Sequence, residues 1–227
     1  TKPSDEAILT ARAIDRAIRP RFPKPLRREI QVVVTWLSWD GENDPDTLGL
    51  LAASLALSIS DIPWMGPISA VRVGRANKGE AGNDFILSPT YKQRAESDLD
   101  LYITGMQSPK DFLINMIEFE GDEIDESTIA TAYQFAKPAL QSLIDFQNEI
   151  VRKTGAEKFN LAAPAQDPLL DNEIREFLGD KLEELLYSQK GNSRRMEPIN
   201  DLKKELIYFV EGKYPGMKKE KYVDAFF

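Results

Sequence analysis

The run Ile30-Gln31-Val32-Val33-Val34-Thr35-Trp36-Leu37 constrains the fold more than any other stretch of this chain. Its apolar and β-branched residues are consecutive rather than alternating, the pattern of a strand covered on both faces. A strand of that kind belongs inside a sheet with helices packed over it. The flanking sequence offers such helices. Ser4 is placed as an N-cap, with Asp5 and Glu6 in the first turn, where the helix dipole favours negative charge. Ile8, Leu9, Ile14 and Ile18 follow, and Pro20 and Pro23 end the helix. After the strand, residues 40–46 read as a turn and a cap, and Leu48 to Ser60 as a helix of small and apolar residues that must be largely covered.

Four short segments separated by turn residues come next: Ile68 to Arg75, Asp84 to Leu87, Leu99 to Gly105 and Phe112 to Phe119. They are predicted as antiparallel strands of a mixed sheet, with Asn77 to Asn83 as a hairpin loop. From Asp125 to Thr154 the apolar positions Ile129, Tyr133, Ala136, Leu140, Leu143, Ile144 and Ile150 follow a helical period. Pro138 should kink this helix and Gly155 stop it. Past Asn160 the composition turns to Ala, Pro and charged residues, and helices are expected over 168–187, 201–210 and 218–227. The fold class predicted is α/β (α+β), a mixed sheet with packed helices over 1–155, followed by a small all-α domain over 156–227. No strand precedes the first helix and no cap follows the last, so both ends read as cut from a longer chain.

The chain of 227 residues has neither cysteine nor histidine. That removes disulfides, thiolate metal sites, cysteine nucleophiles, and the commonest general base and metal ligand. No secretory leader opens it, and the longest nearly apolar stretch, Leu48 to Ile59, is too short for a bilayer, so no membrane partner is expected. The net charge of −8 argues against a general polyanion-coating protein. Yet residues 1–35 hold eight basic against four acidic groups, leaving 21 against 33 for the remainder. The dense basic group is Arg12, Arg16, Arg19, Arg21, Arg27 and Arg28, and the first three recur along one helix face. Such a stripe is either a solvated face or a contact for RNA phosphates or a neighbouring subunit.

Residues 3–23, PSDEAILTARAIDRAIRPRFP, carry the pattern Ile-Asp-Arg-x-Ile-Arg-Pro-x-Phe-Pro before a core strand. Gln31-Val32, Asn43-Asp44-Pro45-Asp46, residues 52–60 (AASLALSIS), Ile62-Pro63, Gly66-Pro67-Ile68 and Val71-Arg72-Val73 continue the match in order. This succession resembles bacterial polynucleotide phosphorylase (polyribonucleotide nucleotidyltransferase), strongly to about Gly105 and only in composition in the helical tail. The resemblance implies a cytoplasmic, ring-shaped trimer that shortens RNA from its 3′ end by phosphorolysis with a divalent ion such as Mg2+. It has two ribonuclease-PH-like domains joined by an all-helical domain, then RNA-binding modules. This chain would cover the first such domain, lacking its opening strands, plus the helical domain. Its own partners would be RNA and further copies of the parent.

Phosphorolysis needs a phosphate cradle and carboxylates that hold a metal. In the family's active second domain a Gly-Ser-Ser-Ser turn before the core helix supplies the cradle. Here Asn43-Asp44-Pro45-Asp46 stands in its place, with two carboxylates and a proline that has no amide to donate. The active domain's two Asp and one Lys fall on Arg94, Asp100 and Tyr102. A residual metal site at Asp98 and Asp100 competes with a capped strand entrance, and the second is expected. The acidic run from Glu118 to Glu126 lacks a calcium-loop pattern and reads as a solvated turn, and Trp36, Trp39 and Trp64 as core or interface rather than base-stacking residues. No catalytic residue, metal site or cofactor is therefore expected in this segment, which alone should be inactive. The expected role is the non-catalytic part of an RNA-degrading phosphorylase that builds the trimer and guides RNA, with Arg12 and Arg16 foremost. The alternatives are a purely structural interface segment and a free-standing metal-dependent nuclease.

Overall fold

The computed structural model describes residues 2–26, 28–76, 84–161, 168–187 and 196–215. The chain forms two compact units, residues 1–162 and 163–227. In the first, α1 (Asp5–Ile18) runs into a 3-10 turn (Arg19–Arg21), and α2 (Asp46–Ile59) leads to β1 (Ile68–Arg75) and β2 (Phe85–Leu87). A short α3 (Tyr91–Glu96), β3 (Leu99–Gln107), β4 (Phe112–Gly121) and the long α4 (Glu126–Thr154) complete it.

The sheet order is β2-β1-β3-β4, and every described pair is antiparallel. Alternation along the strands sends Ile68, Ala70, Tyr102 and Met116 to one face, against α1 and α2. Val71, Val73, Leu101, Ile103 and Phe112 go to the other face, against Ala132, Ala136, Leu140 and Ile144 of α4. A buried polar bridge joins the layers. The Ser54 hydroxyl donates to Gln147 Oε1 (2.6 Å) and accepts from the Ile68 amide (3.0 Å), while Gln147 Nε2 donates to the Ile68 carbonyl (2.9 Å). Every partner in this set is satisfied, which makes a polar bridge tolerable in an apolar interior.

Helix α1 starts where its cap predicts, the Ser4 hydroxyl accepting from the Ala7 amide. Helix α4 is capped by Asp125, stays continuous through Pro138 and ends at Gly155. The strand expected at Ile30 to Leu37 is a correction: this stretch joins no ladder and is not covered on both faces. Ile30, Val32 and Val34 pack partly against the α1–α2 core, whereas Val33 is 74% and Leu37 95% exposed. Helix α1 covers one side only, and no described strand lies alongside to take the backbone groups. With this stretch outside the ladder, the described sheet holds no parallel neighbour and is antiparallel rather than mixed.

Residues 156–161 are held against the first unit. The Ala156 amide donates to the Ile59 carbonyl and the Phe159 amide to the Asp61 carbonyl, both at 2.8 Å. Lys158 Nζ donates to the carbonyls of Leu57, Ser58 and Ser60, which closes the open C-terminal end of α2.

The second unit contains α5 (Pro168–Leu178), α6 (Lys181–Tyr187) and α7 (Met196–Lys213). Leu170, Ile174 and Leu178 on α5 meet Leu202, Leu206 and Val210 on α7, two stripes of i, i+4, i+8 spacing that bury each other. The single helix expected over 168–187 is broken because Gly179 adopts φ +43°, a left-handed turn at the end of α5. Helix α7 extends further in both directions than the expected 201–210. The loop at Asn77 to Asn83 and the helix expected over 218–227 lie outside the described residues.

Candidate functional site

Two features of the first unit carry the chemistry: the exposed face of α1 and an acid-lined hollow beside it. On α1 the arginines are brought together but are mostly engaged. Arg16 Nη1 lies 2.5 Å from Glu118 Oε1 of β4, and Arg19 pairs with Asp15 one turn back. Arg21 donates to the Met65 carbonyl, and the Arg28 guanidinium sits over the Phe159 ring, 5.1 Å from its centroid. Arg12 is exposed and has no ion pair among the described residues. Arg27 lies outside the described residues. The pairs at Arg16 and Arg19 are solvent-exposed, so they contribute little stability and exchange readily for another anion.

The hollow, about 840 Å3, opens between α1, α3 and the α1-facing side of the sheet. Its floor is an ion network of two arginines and three aspartates. Arg72 of β1 donates to Asp46 and, through Nη1 at 2.7 Å, to Asp100; Arg94 of α3 donates to Asp100 (3.0 Å) and to Asp44 (2.5 Å). The two aspartates flanking Pro45 also take the first amides of α2. Asp44 Oδ1 accepts from the Asp46 amide and Asp46 Oδ1 from the Thr47 amide. A helix N-terminus that would otherwise present amides to an anion is thus occupied by the chain's own carboxylates. Burial holds the Asp46 carboxyl above the usual carboxylate range, Arg72 opposing it. Burial pulls against the Arg72 charge too, yet Asp46 and Asp100 outweigh it and raise its pKa.

Asp98 and Asp100 are both engaged by arginines. Asp98 is paired with Arg75, Asp100 is shared by Arg72 and Arg94, and no group of three acidic ligands among the described residues is arranged to hold a metal ion. Tyr102 is 1% exposed; its hydroxyl lacks a hydrogen-bond partner among the described residues, as does Arg72 Nε. Burial, foremost, raises the Tyr102 pKa and keeps the hydroxyl neutral. Tyr91 closes one wall, donating to Glu6 Oε1 of α1 at 2.7 Å.

Sequence reasoning placed Asp44, Asp46, Asp100 and Arg94 near one another through the resemblance but missed Arg72 as the centre of the network. The signal was present: an arginine between Val71 and Val73, in a strand that reads as buried, requires a buried counter-charge. Asp98 with Arg75, and Tyr91 with Glu6, left no comparable trace.

Residues 1–63 match the family model described as the 3′ exoribonuclease family, domain 1. A polyribonucleotide nucleotidyltransferase of Pseudothermotoga lettingae is 39% identical over 99% of this chain and 31% of its own length. The Sulfurihydrogenibium azorense protein of the same name is 36% identical over 98% and 30%, and that of Thermus thermophilus 44% over 74% and 22%. Rice Rrp46, a solved structure, gives a TM-score of 0.49 at 12% identity over 66% of this chain and 68% of its own, too loose a likeness to argue from. The chain spans less than a third of the length of these curated relatives. No described helix is long and apolar enough to cross a membrane. With several relatives above a third identical over nearly its whole length, the chain belongs to the polyribonucleotide nucleotidyltransferase family.

Proposed function

We propose that this chain is a non-catalytic segment of a phosphate-dependent 3′-to-5′ exoribonuclease, contributing assembly of the parent trimer and guidance of RNA. The first unit corresponds to the parent's first ribonuclease-PH-like domain, the second to its all-helical domain, and the parent works in the cytoplasm. The observation that carries the absence of chemistry is the filling of the α2 N-terminus by Asp44 and Asp46 under Arg72 and Arg94. Phosphate entering there would meet carboxylates already holding the amides, in a wall whose charge is mainly negative. The parent's Mg2+ chemistry then belongs to other parts of the protein, in keeping with described acids that are paired with arginines rather than converged on a point.

RNA guidance rests on α1. Arg12, Arg16 and Arg19 lie along its face, Arg12 without an ion pair among the described residues and the other two in exposed, exchangeable pairs, an arrangement suited to phosphates without base specificity. Arg21, Arg27 and Arg28 extend the same basic sequence. A second reading, a structural interface that touches no RNA, is favoured by the engagement of Arg16, Arg19, Arg21 and Arg28 with groups of the chain itself.

The test is binding of a labelled single-stranded RNA of about 20 nucleotides at low and moderate salt, with Mg2+ and phosphate present and products assayed for nucleoside diphosphates. Guidance predicts salt-sensitive binding, weakened by Arg12→Ala with Arg16→Ala, and no diphosphate. Diphosphate release refutes the loss of the active site; absence of binding at both salts leaves assembly alone.

A further inference from the structure

The stretch from Ile30 to Trp36 alternates like a strand and has no strand beside it. Ile30, Val32 and Val34 are partly buried against the α1–α2 core, whereas Gln31, Val33 and Thr35 face solvent. Trp36 belongs to the inner side, its ring so close on Gly49 of α2 that a Cβ there would come within 2.9 Å of it. Among the described residues, none forms a backbone hydrogen bond with residues 30–36. A row of free amides and carbonyls carrying β-branched side chains is a template for one more strand.

The flanking charges say which strand fits. Residues 19–28 hold Arg19, Arg21, Lys24, Arg27 and Arg28 and no acid; residues 40–46 hold Asp40, Glu42, Asp44 and Asp46 and no base. Lys24, Arg28, Asp40 and Glu42 are exposed. An identical strand laid antiparallel sets the basic end of each copy beside the acidic end of the other, while a parallel one sets like beside like. The stretch is complementary to itself in one direction. With Val33 on a two-fold axis, Ile30 stands opposite Trp36, Val32 opposite Val34 and Gln31 opposite Thr35, so the whole stretch is paired and the inner residues of both copies share one face. A shift of one residue would turn the inner face of one copy outward. Val33, 74% exposed in the single chain, then meets its own copy.

We propose that two copies of this chain associate through residues 30–36, paired antiparallel about Val33. The contact is isologous, the same surface on both copies, so it closes at two. It does not rest on the proposed function, and it uses neither Arg12 nor Arg16.

The experiment is sedimentation velocity of the 227-residue chain over a wide range of concentration. A monomer–dimer equilibrium is expected. Val33→Lys and Val33→Glu alter an exposed side chain, and each should weaken the dimer about tenfold by setting like charges opposite one another on the axis. An equimolar mixture of the two variants should regain the dimer, because the opposed charges are then unlike; thermal melts establish that both are folded. The chain has no cysteine, so Val33→Cys supplies a single thiol that mild oxidation should join to its copy across the axis. Leu37→Cys should cross-link more slowly although Leu37 is 95% exposed, since the two copies of that residue lie about 25 Å apart along the pair. A chain that stays monomeric leaves this edge to a strand of another sequence and overturns the proposal. So does a dimer indifferent to Val33→Lys and Val33→Glu, a mixture that stays monomeric, or faster cross-linking at Leu37 than at Val33. A trimer that Val33→Lys leaves intact also overturns it while agreeing with assembly of the parent ring, and salt-sensitive RNA binding by a monomer leaves RNA guidance standing, so this inference and the proposed function fail separately.

Discussion

Replacing Arg72 by Met should destabilise the first unit chiefly through one stranded carboxylate. Arg72 is 14% exposed at its side chain and bridges Asp46 (8%) and Asp100 (17%). Arg94 remains to hold Asp44 and Asp100, so Asp46 is the group left without a cation. Breaking a buried pair on one side costs about 3–5 kcal/mol, and the lower end applies because only one of the three acids loses its last partner. The sign with pH follows from Asp46, whose folded pKa burial already raises even with Arg72 opposing it. An acid with a raised folded pKa favours folding below its unfolded pKa, and that contribution disappears as pH rises through the folded value. Without Arg72 the folded value climbs further, so the variant's deficit should be full at neutral pH and shrink toward about pH 5. Urea unfolding followed by tryptophan fluorescence is the assay, because Trp36, Trp39 and Trp64 all lie in the first unit and report on it alone. Adding Asp46→Asn to Arg72→Met should recover about 2 kcal/mol. A loss below about 1 kcal/mol at neutral pH, or a loss that acidification does not reduce, refutes the view that Arg72 is there to hold the aspartates.

Two further outcomes follow from the same structure. Lys158→Met removes the donor to three carbonyls at the end of α2 and should cost the first unit about 2 kcal/mol, read by the same fluorescence unfolding; an unchanged midpoint would show that water replaces the ammonium. Hydrogen bonds from Ser127 and Thr128 hold the Asp125 carboxyl down to about 2, so its stabilising contribution is present above the unfolded carboxylate pKa and lost as pH falls through the folded value. Asp125→Asn should therefore flatten the acid limb of the stability profile between about pH 4 and pH 2, and an identical limb in the variant would contradict the cap's role.

The sequence by itself determined the local elements and the limits on chemistry. Ser4, Asp125 and Gly155 mark helix ends because capping and termination depend on a few neighbouring residues. The four strand segments are legible from local β-propensity and turn residues, and the absence of cysteine and histidine needs no fold at all. That Pro45 has no amide to donate and stands between two aspartates was legible too, whatever surrounds it. Tertiary structure decided the rest. Whether Ile30 to Leu37 is an inner strand depends on neighbours that backbone hydrogen bonds require, and composition carries no record of them. Which arginines remain available depends on side chains 102 residues away, as Arg16 with Glu118 shows. The network around Arg72 joins residues from β1, β3, α2 and α3, and the burial of the Tyr102 hydroxyl, without a partner among the described residues, is defined only by what surrounds it. Pair energies of this kind fall off within a few ångströms, so they belong to the packed structure and leave almost no mark on the order of residues along the chain.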